Sequence, residues 1–143
     1  MRTVLPSNLL RLGLRLDAVL SLGAAALALA FAAPLAREIG VASAALYPVA
    51  GFMLTWTALT FWMSRSPRLP AWLVWVVLLV NIDWALASFA LMATDWIAPS
   101  TLGYGLLSLQ ALAVLAFAEM QWLGLKRSRT ASLPEEAACA AAA

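Results

Sequence analysis

Residues 73–92 read LVWVVLLVNIDWALASFALM. A helix of this length rises about 30 Å, the thickness of bilayer hydrocarbon. A surface helix of a soluble domain keeps a polar face. This run has no Lys, Arg or Glu, and its only polar interruption of any weight is Asn81 and Asp83, near the midpoint. The stretch therefore predicts a transmembrane helix with a carboxylic acid at mid-depth.

Working outward, the rest of the chain repeats the pattern. Apolar segments are expected at about residues 12–33, 41–63, 71–94 and 101–125. The boundaries are polar or helix-breaking: Pro34 and Arg37–Gly40, then Ser64–Arg68, then Asp95, then Lys126–Arg127. Of the 143 residues, 64% are hydrophobic and 11% charged, and average chains carry about 25% charged residues. So much apolar area has to face something other than water. The predicted fold is all-α, an integral membrane four-helix bundle of four transmembrane helices. It occupies residues 1–127 as one domain, with residues 128–143 as a disordered tail.

Orientation follows from the basic residues flanking the spans. Arg2, Arg11, Arg15, Arg65, Arg68, Lys126, Arg127 and Arg129 collect on one side, and Arg37 alone falls on the other. Both termini are thus expected to be cytoplasmic, with the chain multi-pass in the plasma (inner) membrane. Trp62, Trp72, Trp75 and Trp122 would lie toward the cytoplasmic boundary, and Tyr47, Trp96 and Tyr104 toward the opposite one. Those are the depths amphipathic rings favour. Arg11, Arg15 and the sequence Ala30-Phe31-Ala32 also resemble a cleavable secretory signal. Asp17 interrupting the apolar core, and the three further spans, argue for retention as a first helix.

Composition excludes several chemistries. There is no histidine, and the single cysteine is Cys139 in an alanine-rich tail. Zinc sites, dithiol exchange and Ser-His or Cys-His nucleophile pairs all lack their residues. No metal, no cofactor and no enzymatic activity are expected. No basic patch interleaves with aromatics, so nucleic acid is not an expected partner.

Two groups of residues are candidates for a site. The first is an intramembrane polar group of Asp83, Gln110, Asn81 and Trp84, since counting from the helix ends brings Asp83 and Gln110 to similar depth. Ala24, Ala25, Ala50 and Gly51 at that level would leave space for a small pocket or for close helix packing. Asn81 and Asp83 project about 160° apart on a helix, so one faces the bundle interior and the other does not. The outward one must find a second chain, in a homodimer or a partner membrane protein, a backbone carbonyl, or the lipid bilayer. The second group is a cytoplasmic-side charge cluster of Arg11, Arg15, Asp17 and Glu119. Asp17 lies on a stripe with Gly13, Ser21, Ala24 and Ala28, and Gln110, Val114, Phe117 and Gln121 share one face of the fourth segment.

The general pattern is similar to that of small multi-pass membrane proteins of bacteria. The glutamate of the first helix that marks small multidrug exporters has no counterpart here. No internal repeat is evident, and Pro48 and Gly51 interrupt only the second segment, whereas carriers commonly pair broken helices across their halves. The expected role is therefore a non-enzymatic accessory or interaction protein of the membrane. The alternative is a small proton-linked carrier or channel subunit using a midplane carboxyl group.

Overall fold

The computed structural model describes residues 3–130. The order is β1 (Thr3–Leu5), α1 (Asn8–Ala30), α2 (Ala32–Ile39), a short 3-10 turn (Ser43–Ala45), α3 (Leu46–Arg65), β2 (Leu69–Pro70), α4 (Ala71–Met92), α5 (Thr101–Lys126) and β3 (Arg129–Thr130). Four helical stretches, those built on α1, α3, α4 and α5, are long and apolar enough to cross a membrane. That matches an all-α bundle of multi-pass type.

The helix bounds differ from expectation at two breakers. The first helix ends at Ala30, where Phe31 (φ −128°, ψ 39°) leaves the helical region, and α2 begins at once. Pro34 sits in the first turn of α2, where its missing N–H would have had no intrahelical partner anyway. It opens a helix instead of closing one. Pro48 lies likewise in the first turn of α3, which runs without a break to Arg65.

Helix α1 packs against α3 on one side and α5 on the other, and α5 packs in turn against α4. The remaining side, between α3 and α4, is held apart by aromatic rings. Phe52 stacks on Trp56 of its own helix (centroids 5.8 Å apart) and on Trp84 of α4 (5.6 Å, planes within 9°). Offset stacking at such separations is favourable beyond the buried area.

Each end of the bundle is tied. At the end where the described chain begins and ends, at Thr3 and Thr130, β1 pairs antiparallel with β2 and β3 in the order β2-β1-β3, with Val4 opposite both Leu69 and Thr130. Residues 128–130, assigned to the tail from sequence, thus return to the bundle. The remainder of that expected tail, 131–143, lies outside the described residues. Ser7 caps α1, accepting from the Leu10 N–H (3.2 Å) and donating to the Gly124 carbonyl (2.7 Å). Gly124 permits this contact: a Cβ there would stand 2.5 Å from the Leu10 nitrogen. At the far end, Ser100 caps α5, accepting from the Gly103 N–H at 3.0 Å, while its own N–H donates to the Glu38 carbonyl at 2.8 Å. Its hydroxyl donates to the Glu38 carboxylate. Gly40 ends α2 at φ 77°, a left-handed conformation that glycine adopts without the usual Cβ penalty.

Two apolar cores result. Near the strands, Val4, Leu10, Leu14, Met63, Leu69, Val74 and Val77 are buried together. At the far end the core is mostly alanine: Ala25, Ala28, Ala32, Ala36 and Ala50 with Leu46. Small side chains let the helix backbones approach closely. Outside, apolar side chains are broadly exposed, among them Val19, Leu27, Leu79, Leu86 and Leu109. Exposed Trp62, Trp72, Trp75 and Trp122 mark the strand end, and Tyr47, Trp96 and Tyr104 the far end.

Candidate functional site: a buried carboxyl between the two cores

Between the two apolar cores lies a polar layer centred on Asp17, which is 1% exposed. Its carboxyl group receives four side-chain hydrogen bonds. Oδ2 accepts from Asn81 Nδ2 (2.8 Å) and Gln121 Nε2 (2.9 Å), and Oδ1 from Trp56 Nε1 (3.3 Å) and Ser21 Oγ (3.4 Å). Asn81 Nδ2 also donates to Gln121 Oε1 at 3.2 Å. The four donors come from α1, α3, α4 and α5, so one acidic side chain joins every long helix of the bundle. Asn81 is 3% exposed and Gln121 fully buried.

The sequence explains this convergence. Small residues along the inner face of α1, Gly13 and Ala18 beside Asp17, let α3 and α5 come close. Gly13 lies against Met120 and Gln121, which sets Gln121 beside the carboxyl group. A buried amide or indole N–H without an acceptor costs about 1–3 kcal/mol, so the network is stable only when complete. Among the described residues, no buried side-chain nitrogen or oxygen lacks a partner.

A second polar group lies farther along α4. Trp84 Nε1 donates to Gln110 Oε1 (3.0 Å), and Gln110 Nε2 donates to Ser88 Oγ (2.9 Å). The stack of Trp56, Phe52 and Trp84 connects the two groups through the α3–α4 gap. Both indoles face inward there and use their N–H groups, unlike the exposed tryptophans at the bundle ends.

The residues singled out from sequence separate. Asn81 is the inward member of its pair, and it meets Asp17 instead of Gln110. Trp84 and Gln110 do meet. Asp83, expected to share a pocket with Gln110, is exposed on the outer side of α4, and no described residue bonds its side chain. The correction has a helical cause: once Asn81 points inward, the residue two positions on must point out. The expected charge cluster does not assemble either. Arg11 Nη1 donates to the Ser64 carbonyl on α3 at 2.9 Å. Arg15 and Glu119 are exposed, and only Asp17 is buried.

Sequence reasoning missed the role of Gln121 in binding Asp17. The available signal was its position on the Gln110–Val114–Phe117 face, which pointed it inward. The arginines close to Asp17 in the sequence suggested ion pairs, but Arg11 turns to α3, Arg15 is exposed, and neutral amides fill the interior instead.

Chemically, the layer is a set of donors around one acid. Its contacting groups are two carboxamides, an indole and a hydroxyl, with no nucleophile pair among them. Among the described residues, no group of three or more His, Cys, Asp or Glu side chains is placed to hold a metal ion. Compared with family models, with curated proteins and with solved structures, the chain matches none.

Proposed function

We propose that this protein is a non-enzymatic interaction protein of the plasma (inner) membrane. In this reading four helices cross the bilayer, with both termini in the cytoplasm. The Asp17 layer holds the bundle together, and the outer side of α4 and α5 meets another membrane protein. The observation that carries the reading is the contrast between inside and outside. Buried polar groups are all bonded among the described residues, whereas Asp83 and Glu119 stand exposed on apolar helices.

The magnitudes support a partner. A carboxylic acid at the centre of a membrane helix costs about 2.5–3.5 kcal/mol on insertion scales. The Leu, Ile, Val and Phe residues of α4 contribute about −0.3 to −0.6 kcal/mol each on the same scale, and α4 has eleven of them. The helix therefore inserts despite Asp83. The outward acid remains unsatisfied until a donor from another chain meets it.

Photo-crosslinking in native membranes tests this. A photoreactive residue at Leu79 or Leu86, flanking Asp83, should give a discrete protein adduct, and one at Leu20, on the exposed side of α1 away from Arg15, should give lipid. Lipid adducts at all three positions would refute the reading.

One observation favours a second reading, a proton-linked carrier. Asp17 is a buried carboxyl shared by four helices, so it would take the coupling role that sequence analysis gave to Asp83. Proteoliposomes decide between the two. Proton-driven uptake of a cationic dye that is lost in Asp17→Asn and retained in Asp83→Asn would put the carrier first.

A further inference from the structure

We propose that the groove between α4 and α5 receives the α1–α3 face of a second copy of this chain, with Arg15 of one copy against Glu119 of the next. The inference rests on the membrane reading above, because a charge on an apolar surface demands a partner only where lipid replaces water.

The groove has a volume of about 430 Å³ and is walled by Trp75, Leu79, Ile82, Leu115 and Trp122, with Glu119 at its edge. Glu119 is exposed and has no side-chain partner among the described residues. The same holds for Arg15 on the other side of the molecule. Arg11, one turn earlier, reaches across to Ser64 of α3. Residues four apart lie on nearly the same helix face, so Arg15 also belongs to the α1–α3 side.

The two charges stand at one depth. Leu10 is opposite Gly124, and Gly13 is opposite Met120 and Gln121. Continuing that antiparallel register sets Arg15 level with Glu119. Each is seven residues in from the strand end of its helix, counted from Asn8 and from Lys126, which is about 10 Å. Two copies side by side in the same orientation therefore present a cation and an anion at matching height. Exposed Val19, Leu22, Leu54 and Phe61 on α1 and α3 supply apolar bulk for the groove between Trp75 and Trp122.

Charge also sets the symmetry. A two-fold contact of groove on groove would bring Glu119 toward Glu119. The Arg15–Glu119 contact joins two different surfaces and leaves Glu119 free on one copy and Arg15 free on the other, so it repeats into a closed ring or an open chain.

The test uses the full chain in its own membranes, with Cys139→Ser removing the native thiol. Val19→Cys with Leu115→Cys, one turn farther in on the same two faces so that Arg15 and Glu119 stay in place, oxidised with copper phenanthroline, should give a ladder of dimer, trimer and higher species. Either cysteine alone should give monomer. In mild detergent, Arg15→Glu alone or Glu119→Arg alone should weaken self-association at least tenfold, and the two reversals together should restore it. A dimer from Leu115→Cys alone, an adduct only to a different protein, or no rescue by the double reversal would overturn the proposal. Carbonate extraction of the same membranes separates the two readings. Protein that stays in the membrane pellet without any ladder refutes only the pairing, and protein released as a soluble species refutes both.

Discussion

Removing the Asp17 carboxyl group by Asp17→Ala takes away the acceptor of four donors, and their fates differ. Ser21 can turn its hydroxyl to the backbone carbonyl one turn earlier. Asn81 keeps Gln121 Oε1, at 3.2 Å. Trp56 Nε1 and Gln121 Nε2 have no other acceptor among their bonds. Two orphaned buried donors cost about 1–3 kcal/mol each. Interhelical hydrogen bonds in membranes average nearer 0.6 kcal/mol, because the unfolded chain also finds partners there. The expected destabilisation is therefore about 2–4 kcal/mol, the lower half of the first range for each of the two donors. Asp17→Asn keeps the shape and one acceptor, and the neighbouring amides can rotate to suit it, so it should cost about 1 kcal/mol or less. Reversible unfolding in mixed micelles, followed by the fluorescence of Trp56 and Trp84, measures both. Equal stability of wild type and Asp17→Ala would refute the claim that this layer joins the helices.

Three further outcomes are expected. Asp83→Leu should leave the stability of the isolated bundle within about 0.5 kcal/mol and favour insertion of α4 by about 3 kcal/mol, read as the membrane-integrated fraction after synthesis into vesicles. Gly124→Val should force α5 away from Leu10 and destabilise by about 1–3 kcal/mol, with the thermal midpoint in detergent as the readout. Gln110→Leu should orphan the Trp84 N–H at a cost of about 1–2 kcal/mol, visible as an altered Trp84 emission in a variant where the other tryptophans are replaced.

Most of the fold is legible in sequence because of a coarse rule: apolar runs of about twenty residues become helices long enough to span a bilayer. The stretch 73–92 and the run near 101–125 obey it, and their helices end within two residues of expectation. Smaller elements escape the rule. The strands around Val4, Leu69 and Arg129 have two or three residues each, too few for any periodicity, and are fixed by tertiary pairing at the closed end of the bundle. Pro34 and Pro48 read as helix breakers, yet both fall in first turns, where proline is tolerated. For the polar site, the alternation of Asn81 and Asp83 is visible in helical geometry, but which of them turns inward is not. That choice depends on where Asp17 and Gln121 come to rest, and so on the packing of α1 against α5, which no local pattern encodes.

The central claim is that four helices cross lipid, with the strands and both termini on the cytoplasmic side. Single cysteines placed by Ala42→Cys, Arg68→Cys, Asp95→Cys and Thr130→Cys in the Cys139→Ser background, treated on intact cells with an impermeant maleimide, test it most directly. Labelling of positions 42 and 95 in intact cells, and of 68 and 130 only after lysis, is the predicted result. Labelling of 68 or 130 from outside, or equal labelling of all four in a soluble fraction, would contradict it.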